Sequence, residues 1–305
     1  MSSQASSKTL LRHNVDLSNF TTMQVGGTAR YFSEPSTEED LHELLGFAKS
    51  ENLPYYILGK GSNVIFPDEG FPGLVITLIH YEQERIIFDP ENPVVTASAG
   101  IHLYRLVVAC RERGLGGAEF LCNVPGTVGG GVIMNAGFSR FPGQSNEIGD
   151  LIEEICVLNK KDGQKEILTK DKLKFSYRYS NLDGKIVLSA TLRLWRRKPE
   201  DIQKEIRANF DYRNGKQDLK HPSSGSVFKN PEPPALSAGK LIDSLGLKGL
   251  RVGDAQISEK HGNYIINLGN AKSSDVWALI DQIQRKVFDA TGISLEPEVK
   301  KAGII

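Results

Sequence analysis

The chain has 305 residues, enough for two or three domains with real interiors. Lysine plus arginine number 37 and aspartate plus glutamate 37, so the formal charge is zero and the basic excess expected of a nucleic-acid protein is missing. Cys110, Cys122 and Cys156 lie far apart with no Cys-x-x-Cys pair, which disfavours a disulfide framework or a zinc site and fits reduced thiols in a cytoplasm.

The opening "MSSQASSKTLLRHNVDLSNF" has no apolar core long enough for a signal peptide, and its first eight residues are the one low-complexity tract. "STEEDLHELLGFAKSENL" starts with Ser36 and Glu39 in capping-box spacing. Leu41, Leu44, Leu45 and Ala48 then form one stripe, which predicts a helix. After Pro54, "YYIL" reads as a short buried strand running into "GKGSNVIF"; "LVITLI" and "PVVTASAG" read as further strands. In "HLYRLVVACRERG" the residues Leu103, Leu106, Val107 and Cys110 share a helical face, with Gly114 as the stop.

"NVPGTVGGGVIMNAG" follows, rich in glycine and without charge, and is open to two readings, a phosphate cradle of a less common kind or only a tight turn in a packed core. It fits no common phosphate signature: Val132 stands where a P-loop needs lysine, and Met134 takes the last place of a Gly-x-Gly-x-x-Gly. The uncharged run Phe120–Ser139 is long enough to span a bilayer, but Asn123, Pro125, Asn135 and its glycines argue against a membrane helix. "EEICVLNKKDGQKEIL" reads as two strands joined at Asp162-Gly163, and "GKIVLSATLRLW" as another strand. Beyond "RRKPED" a polar helix leads to the loop "HPSSGSVFKNPEPP". "SSDVWALIDQIQRKVFDATG" is a helix capped by Ser273 or Ser274 and ended by Gly292, with Val276, Leu279, Ile280, Ile283 and Val287 as its stripe. A domain boundary is expected near residues 198–212.

Taken together, "LGKGSNVIF" and "NVPGTVGGG" suggest two walls around one long anionic ligand. A dinucleotide would suit if backbone N–H groups of both face its diphosphate; plain structural turns are the other reading. "FSYRYS", "SSGSVFKNP" and "LEPEV" offer Arg178, Ser226, Glu296 and Glu298. Singly these read as well as a surface ion pair, a turn residue and solvated glutamates. The six histidines show no His-x-x-x-His pair and there is no Gly-x-Ser-x-Gly elbow, so neither a metal site nor a serine hydrolase is expected.

In order along the chain, "NFTTMQVGGTARYF", "YILGKGSNVIF", "EFLCNVPGTVGG…MNAG", "FSYRYS", "GSVFKNP", "GLRVGDAQISEKHGNYIIN" and "LEPEV" closely resemble the MurB family, the UDP-N-acetylenolpyruvoylglucosamine reductases of peptidoglycan synthesis. The resemblance implies an α+β protein. Two lobes, residues 1–82 and 83–205, would form the FAD-binding fold of vanillyl-alcohol oxidase and p-cresol methylhydroxylase, and residues 206–305 a substrate domain. It implies non-covalent FAD held by Gly59, Lys60, Gly61, Ser62, Asn63, Gly126, Thr127, Val128, Gly129 and Gly130. NADPH would be the hydride donor and UDP-N-acetylglucosamine enolpyruvate the substrate, with no nucleic acid or membrane partner and a monomer favoured. Ser226 matches the family's proton donor, Arg178 its arginine and Glu298 its acid; Tyr177, Lys229 and Asn230 would line the substrate cleft. The short span from Arg178 to Ser226 resembles the compact second type, without the longer substrate-capping insertion. Asn123 and Asp254 stand where the family commonly has glycine or a small residue. Rival readings are another flavin oxidoreductase of this fold, or a non-catalytic nucleotide-binding relative; the downstream motifs disfavour the first and the retained Ser226, Arg178 and Glu298 the second.

Overall fold

The structure is a computed structural model that describes residues 11–81, 85–141, 146–232 and 236–303. The first ten residues, which include the eight read as a low-complexity tract, and part of the "NPEPP" loop lie outside them. The chain forms two compact units. One is built from Ser33–Lys60 and Ile76–Arg213, the other from Arg12–Phe32, Gly61–Val75 and Asn214–Ile305. The units do not follow the sequential segments 1–82, 83–205 and 206–305. Met23, Val25 and Ile65, early in sequence, are buried in one hydrophobic cluster with Val227, Phe228, Leu279 and Ile283, and that shared burial is what groups them. The later boundary falls at residues 213/214, inside the helix Pro199–Lys216 and just past the expected 198–212.

In the first unit the amphipathic stripes form helices as expected. Glu38–Ser50 buries Leu41, Leu44 and Ala48, and Leu103–Glu112 buries Leu103, Leu106, Val107 and Cys110. The cap of the first lies one residue later than Ser36: Thr37 accepts from the Asp40 N–H, and Asp40 accepts in return. A five-stranded antiparallel sheet runs in the order Lys165–Thr169, Ile152–Asn159, Lys185–Arg193, Val94–Ser98, Ile86–Phe88. Its first two strands are the expected hairpin, with Gly163 at φ 71 in the turn.

The glycine segment is a helix and not only a turn. Thr127 caps Val128–Ile133, its hydroxyl accepting from the Gly130 N–H. Helical glycines carry a propensity cost of about 1 kcal/mol each. Packing favours glycine at two of these positions: a Cβ on Gly129 would stand 2.9 Å from the Ala99 Cβ, too close to fit, and one on Gly131 would stand 3.2 Å from a Leu103 methyl, a tight contact.

The second unit holds a four-stranded antiparallel sheet in the order Ser223–Ser226, Tyr264–Asn267, Ala255–Ile257, Arg251–Val252. The helix Ser273–Thr291 lays Val276, Leu279, Ile280, Ile283 and Val287 into the core and ends at Gly292, φ 72. Its start differs from the expected serine cap. Lys272 is the cap position, and the Asp68 carboxylate accepts the Ser273 and Ser274 N–H groups at 2.7 and 3.0 Å. A residue some two hundred positions upstream does what Ser273 or Ser274 was expected to do.

Candidate active site

Within the first unit the two glycine motifs meet. A Cβ on Gly59 would lie 2.9 Å from the Thr127 hydroxyl, so only glycine lets "GKGSN" come this close to "PGTVGG". Beside this meeting point lies a cavity of about 220 Å³, with Lys60, His102, Pro125, Gly126 and Arg213 on its wall. Burial lowers the His102 pKa, and the Lys60 ammonium lowers it further. Arg213 donates to the Asn123 carbonyl, which anchors a fixed cation at the rim.

Not every N–H of the segment is available to a ligand. Val128 donates to the Ile101 carbonyl at 2.8 Å and Gly129 to the Ala99 carbonyl at 2.9 Å. The expected cradle of N–H groups therefore shrinks; Gly126 is half-buried, and Gly130 is exposed but turns its N–H to the Thr127 hydroxyl at 3.5 Å. The departure at Asn123 has a counterpart: its side chain is 4% exposed, and among the described residues neither polar amide atom has a hydrogen-bond partner. A lysine, an arginine and a histidine about a cavity beside the glycine motifs, with an orphaned amide on its wall, fit an anionic dinucleotide such as FAD.

Tyr177 and Arg178 form the two-residue turn between Phe175–Ser176 and Tyr179–Ser180 in the same unit. Arg178 sits at φ 56, a left-handed conformation uncommon for a residue with a Cβ. Its guanidinium lies 4.9 Å from the centroid of the Tyr177 ring and donates to the Gly137 carbonyl at 3.3 Å.

In the second unit Gly61 is held at φ 67, where a Cβ would strike the Phe20 carbonyl oxygen at 2.1 Å. Its glycine is thus demanded by chain packing. "GSVFKNP" and "LEPEV" lie side by side: the Glu298 N–H donates to the Val227 carbonyl at 2.7 Å, and the Lys229 N–H to the Glu296 carbonyl at 2.9 Å. This pairing sets Ser226, at the end of its strand, next in sequence to the residue that Glu298 bonds. Asn63 joins the same cluster, its amide donating to the Glu298 carbonyl at 3.1 Å.

Two expected substrate contacts have protein partners. The Lys229 ammonium is paired with Glu296 at 2.6 Å, and the Asn230 side-chain oxygen accepts the Ala238 N–H at 3.1 Å. Asp254, the other departure, is absorbed locally: its carboxylate accepts from Arg251 and from the Asn270 N–H.

Sequence reading gave no role to two residues inside the quoted motifs. Asn263 of "HGNYIIN" accepts the Phe228 N–H at 2.9 Å and donates to the Phe228 carbonyl at 2.8 Å, holding the "GSVFKNP" strand by both groups of one residue. Asn135 of "MNAG" is buried and bonds three neighbours. Their membership in the motifs was the signal, but only the fold shows which backbone groups they bind.

The family model for the C-terminal domain of UDP-N-acetylenolpyruvoylglucosamine reductase matches residues 217–302, and an FAD-binding domain model matches residues 29–164. The chain is 40% identical to the UDP-N-acetylenolpyruvoylglucosamine reductase of Synechococcus sp. (strain WH7803), over 96% of this chain and 94% of the relative. It is also 40% identical to that of Moorella thermoacetica, over 95% of this chain and 92% of the relative. The crystal structure of UDP-N-acetylenolpyruvylglucosamine reductase (MurB) from Thermus caldophilus is similar at a TM-score of 0.80 and 38% identity, covering 96% of this chain and 100% of that one. The cation-lined cavity beside the glycine motifs thus lies in an FAD-binding fold, the architecture the resemblance implied. The chain belongs to the UDP-N-acetylenolpyruvoylglucosamine reductase family.

Proposed function

We propose that this flavoprotein reduces the enolpyruvyl group of UDP-N-acetylglucosamine enolpyruvate to give UDP-N-acetylmuramate, with NADPH as the electron source. Bound FAD would supply the two-electron chemistry, accepting hydride from NADPH and delivering it to the terminal vinyl carbon. Lys60, Gly126, Thr127 and Gly130 of the first unit would hold the cofactor, and Gly61, Ser62 and Asn63 continue the same sequence motif.

Hydride arrival at the vinyl terminus makes the neighbouring carbon and the carboxylate enolate-like. Arg178, already fixed through its guanidinium, would hold that carboxylate as a preorganised cation. Glu298 would act in its protonated form, donating a hydrogen bond to the developing anion. Ser226 would then give its hydroxyl proton to the carbanion-like carbon; a weak acid suffices because that carbon is strongly basic and the hydroxyl is positioned. The pairing of the Ser226 strand with the Glu298 segment carries this reading, since it keeps proton donor and acid in one fixed frame. Tyr177, Lys229 and Asn230 would contact the UDP-sugar, with Lys229 exchanging Glu296 for a diphosphate oxygen.

Cofactor lobes within 1–82 and 83–205 and a substrate domain within 206–305 would divide the work, although Arg12–Phe32 and Gly61–Val75 share a compact unit with the last segment. No helix among the described residues is long and apolar enough to cross a membrane. A water-soluble nucleotide-sugar substrate would be met in the cytoplasm, and a monomer is the proposed working form. Ser226→Ala tests the assignment. Anaerobic reoxidation of the flavin by substrate should slow by about 10²–10⁴-fold, with reduction by NADPH unchanged. Equal loss in both half-reactions would sink it.

A further inference from the structure

We propose that Asn135 is a positioning residue for Arg178, fixing through its side-chain amide, the Glu147 carboxylate and the Gly137 carbonyl the turn from which the guanidinium meets the substrate. This inference rests on the reading of Arg178 given above.

The Arg178 turn cannot hold itself. Its flanking strands, Phe175–Ser176 and Tyr179–Ser180, are two residues each, and a hairpin so short has little stability of its own. No glycine or asparagine in the turn favours the left-handed φ of 56. Outside groups must help impose the geometry, and two of them come from one place. The segment leaving the glycine helix takes both strands of the hairpin: Ser180 donates from its hydroxyl to the Ile133 carbonyl at 2.8 Å, and Asn135 donates to the Ser176 carbonyl at 2.9 Å.

Asn135 itself is 1% exposed and sits at φ 44, a conformation asparagine tolerates better than most residues. Its amide is fully used. The oxygen accepts the Gly149 N–H at 3.0 Å, and the nitrogen also donates to the Glu147 carboxylate at 2.5 Å. A Cβ on Gly149 would stand 2.6 Å from the Phe175 ring and 2.8 Å from the Asn135 oxygen, so glycine there serves this same junction.

Glu147 and Gly137 pair as an isolated bridge, and Gly137 accepts from the Arg178 guanidinium. Burial raises the Glu147 pKa, while the Asn135 hydrogen bond and the Arg178 charge act the other way, so the carboxylate lies within the guanidinium's field. The result is a chain of contacts from one buried amide to one cation. A misplacement of about 1 Å in such a group can cost roughly 10²-fold in rate.

Flavin reoxidation by UDP-N-acetylglucosamine enolpyruvate and reduction by NADPH, followed anaerobically in the FAD-loaded protein, test this in Asn135→Ala, Arg178→Ala and the double variant. Asn135→Ala should slow reoxidation by about 10²-fold and leave reduction unchanged, with no further loss when added to Arg178→Ala. An equal loss in both backgrounds would make Asn135 merely structural and overturn the proposal. If Arg178→Ala leaves reoxidation at the wild-type rate, the catalytic reading of Arg178 fails first and this inference falls with it. Glu147→Gln keeps an acceptor for Asn135 and removes only the charge facing Arg178, so it provides a folded comparison should Asn135→Ala prove unstable. It should also slow reoxidation selectively; a wild-type rate in Glu147→Gln would overturn the route through that carboxylate.

Discussion

Asn263 does in the second unit what Asn135 does in the first, clamping a stretch of backbone that carries a reacting group. It satisfies both the N–H and the carbonyl of Phe228, which is 1% exposed, two residues beyond Ser226. Asn263→Ala would strand both groups in the core, costing about 3 kcal/mol in urea-monitored stability; a loss well below about 1 kcal/mol would show that water replaces the amide. Glu298 invites a sharper comparison. If it works as a neutral hydrogen-bond donor, Glu298→Gln should retain more of the substrate-dependent reoxidation rate than Glu298→Ala. Equal rates in the two would argue that Glu298 acts through its negative charge or not at all.

At the scale of elements, the helix Ser273–Thr291 depends on a cap borrowed from Asp68. Burial raises the Asp68 pKa, but the hydrogen bonds from Ser274 and Ser273 outweigh it and hold the carboxyl below its ordinary value. A depressed folded-state pKa gives stability that is present above the unfolded-state value and lost as pH falls through the folded one. Asp68→Ala should therefore cost about 1 kcal/mol at neutral pH, and its gap from wild type should close as pH falls below about 4. A gap that persists in acid would assign the loss to packing. Such remote devices mark the limit of what the sequence revealed. The stripes of Leu41, Leu44 and Ala48, of Leu103 to Cys110 and of Val276 to Val287 foretold three helices, because burial alone decides them. The glycine helix was not legible as a helix, since its propensity is poor and its close packing on Ala99 and Leu103 leaves no local pattern. Ser226, Arg178 and Glu298 were legible only as members of resembling motifs. Periodicity could not tell them from surface residues, and the pairing of "GSVFKNP" with "LEPEV" is a property of the fold.

For the whole molecule, the cavity beside the glycine motifs makes cofactor binding a stability term. A ligand that binds only the folded chain stabilises it by about 2.7 kcal/mol at a hundred times its dissociation constant. Adding FAD to stripped protein should raise the melting temperature in a concentration-dependent way, and Lys60→Ala should weaken that response while leaving the stripped protein's melting temperature nearly unaltered, because Lys60 is exposed. An unchanged FAD response in Lys60→Ala would remove this lysine from the cofactor site. Whether one flavin links NADPH to the enolpyruvyl sugar nucleotide can be read from the anaerobic visible spectrum of the purified protein through two additions. An oxidised flavin spectrum should bleach with NADPH and return with UDP-N-acetylglucosamine enolpyruvate. A flavin that bleaches but returns only when oxygen is admitted would contradict that link.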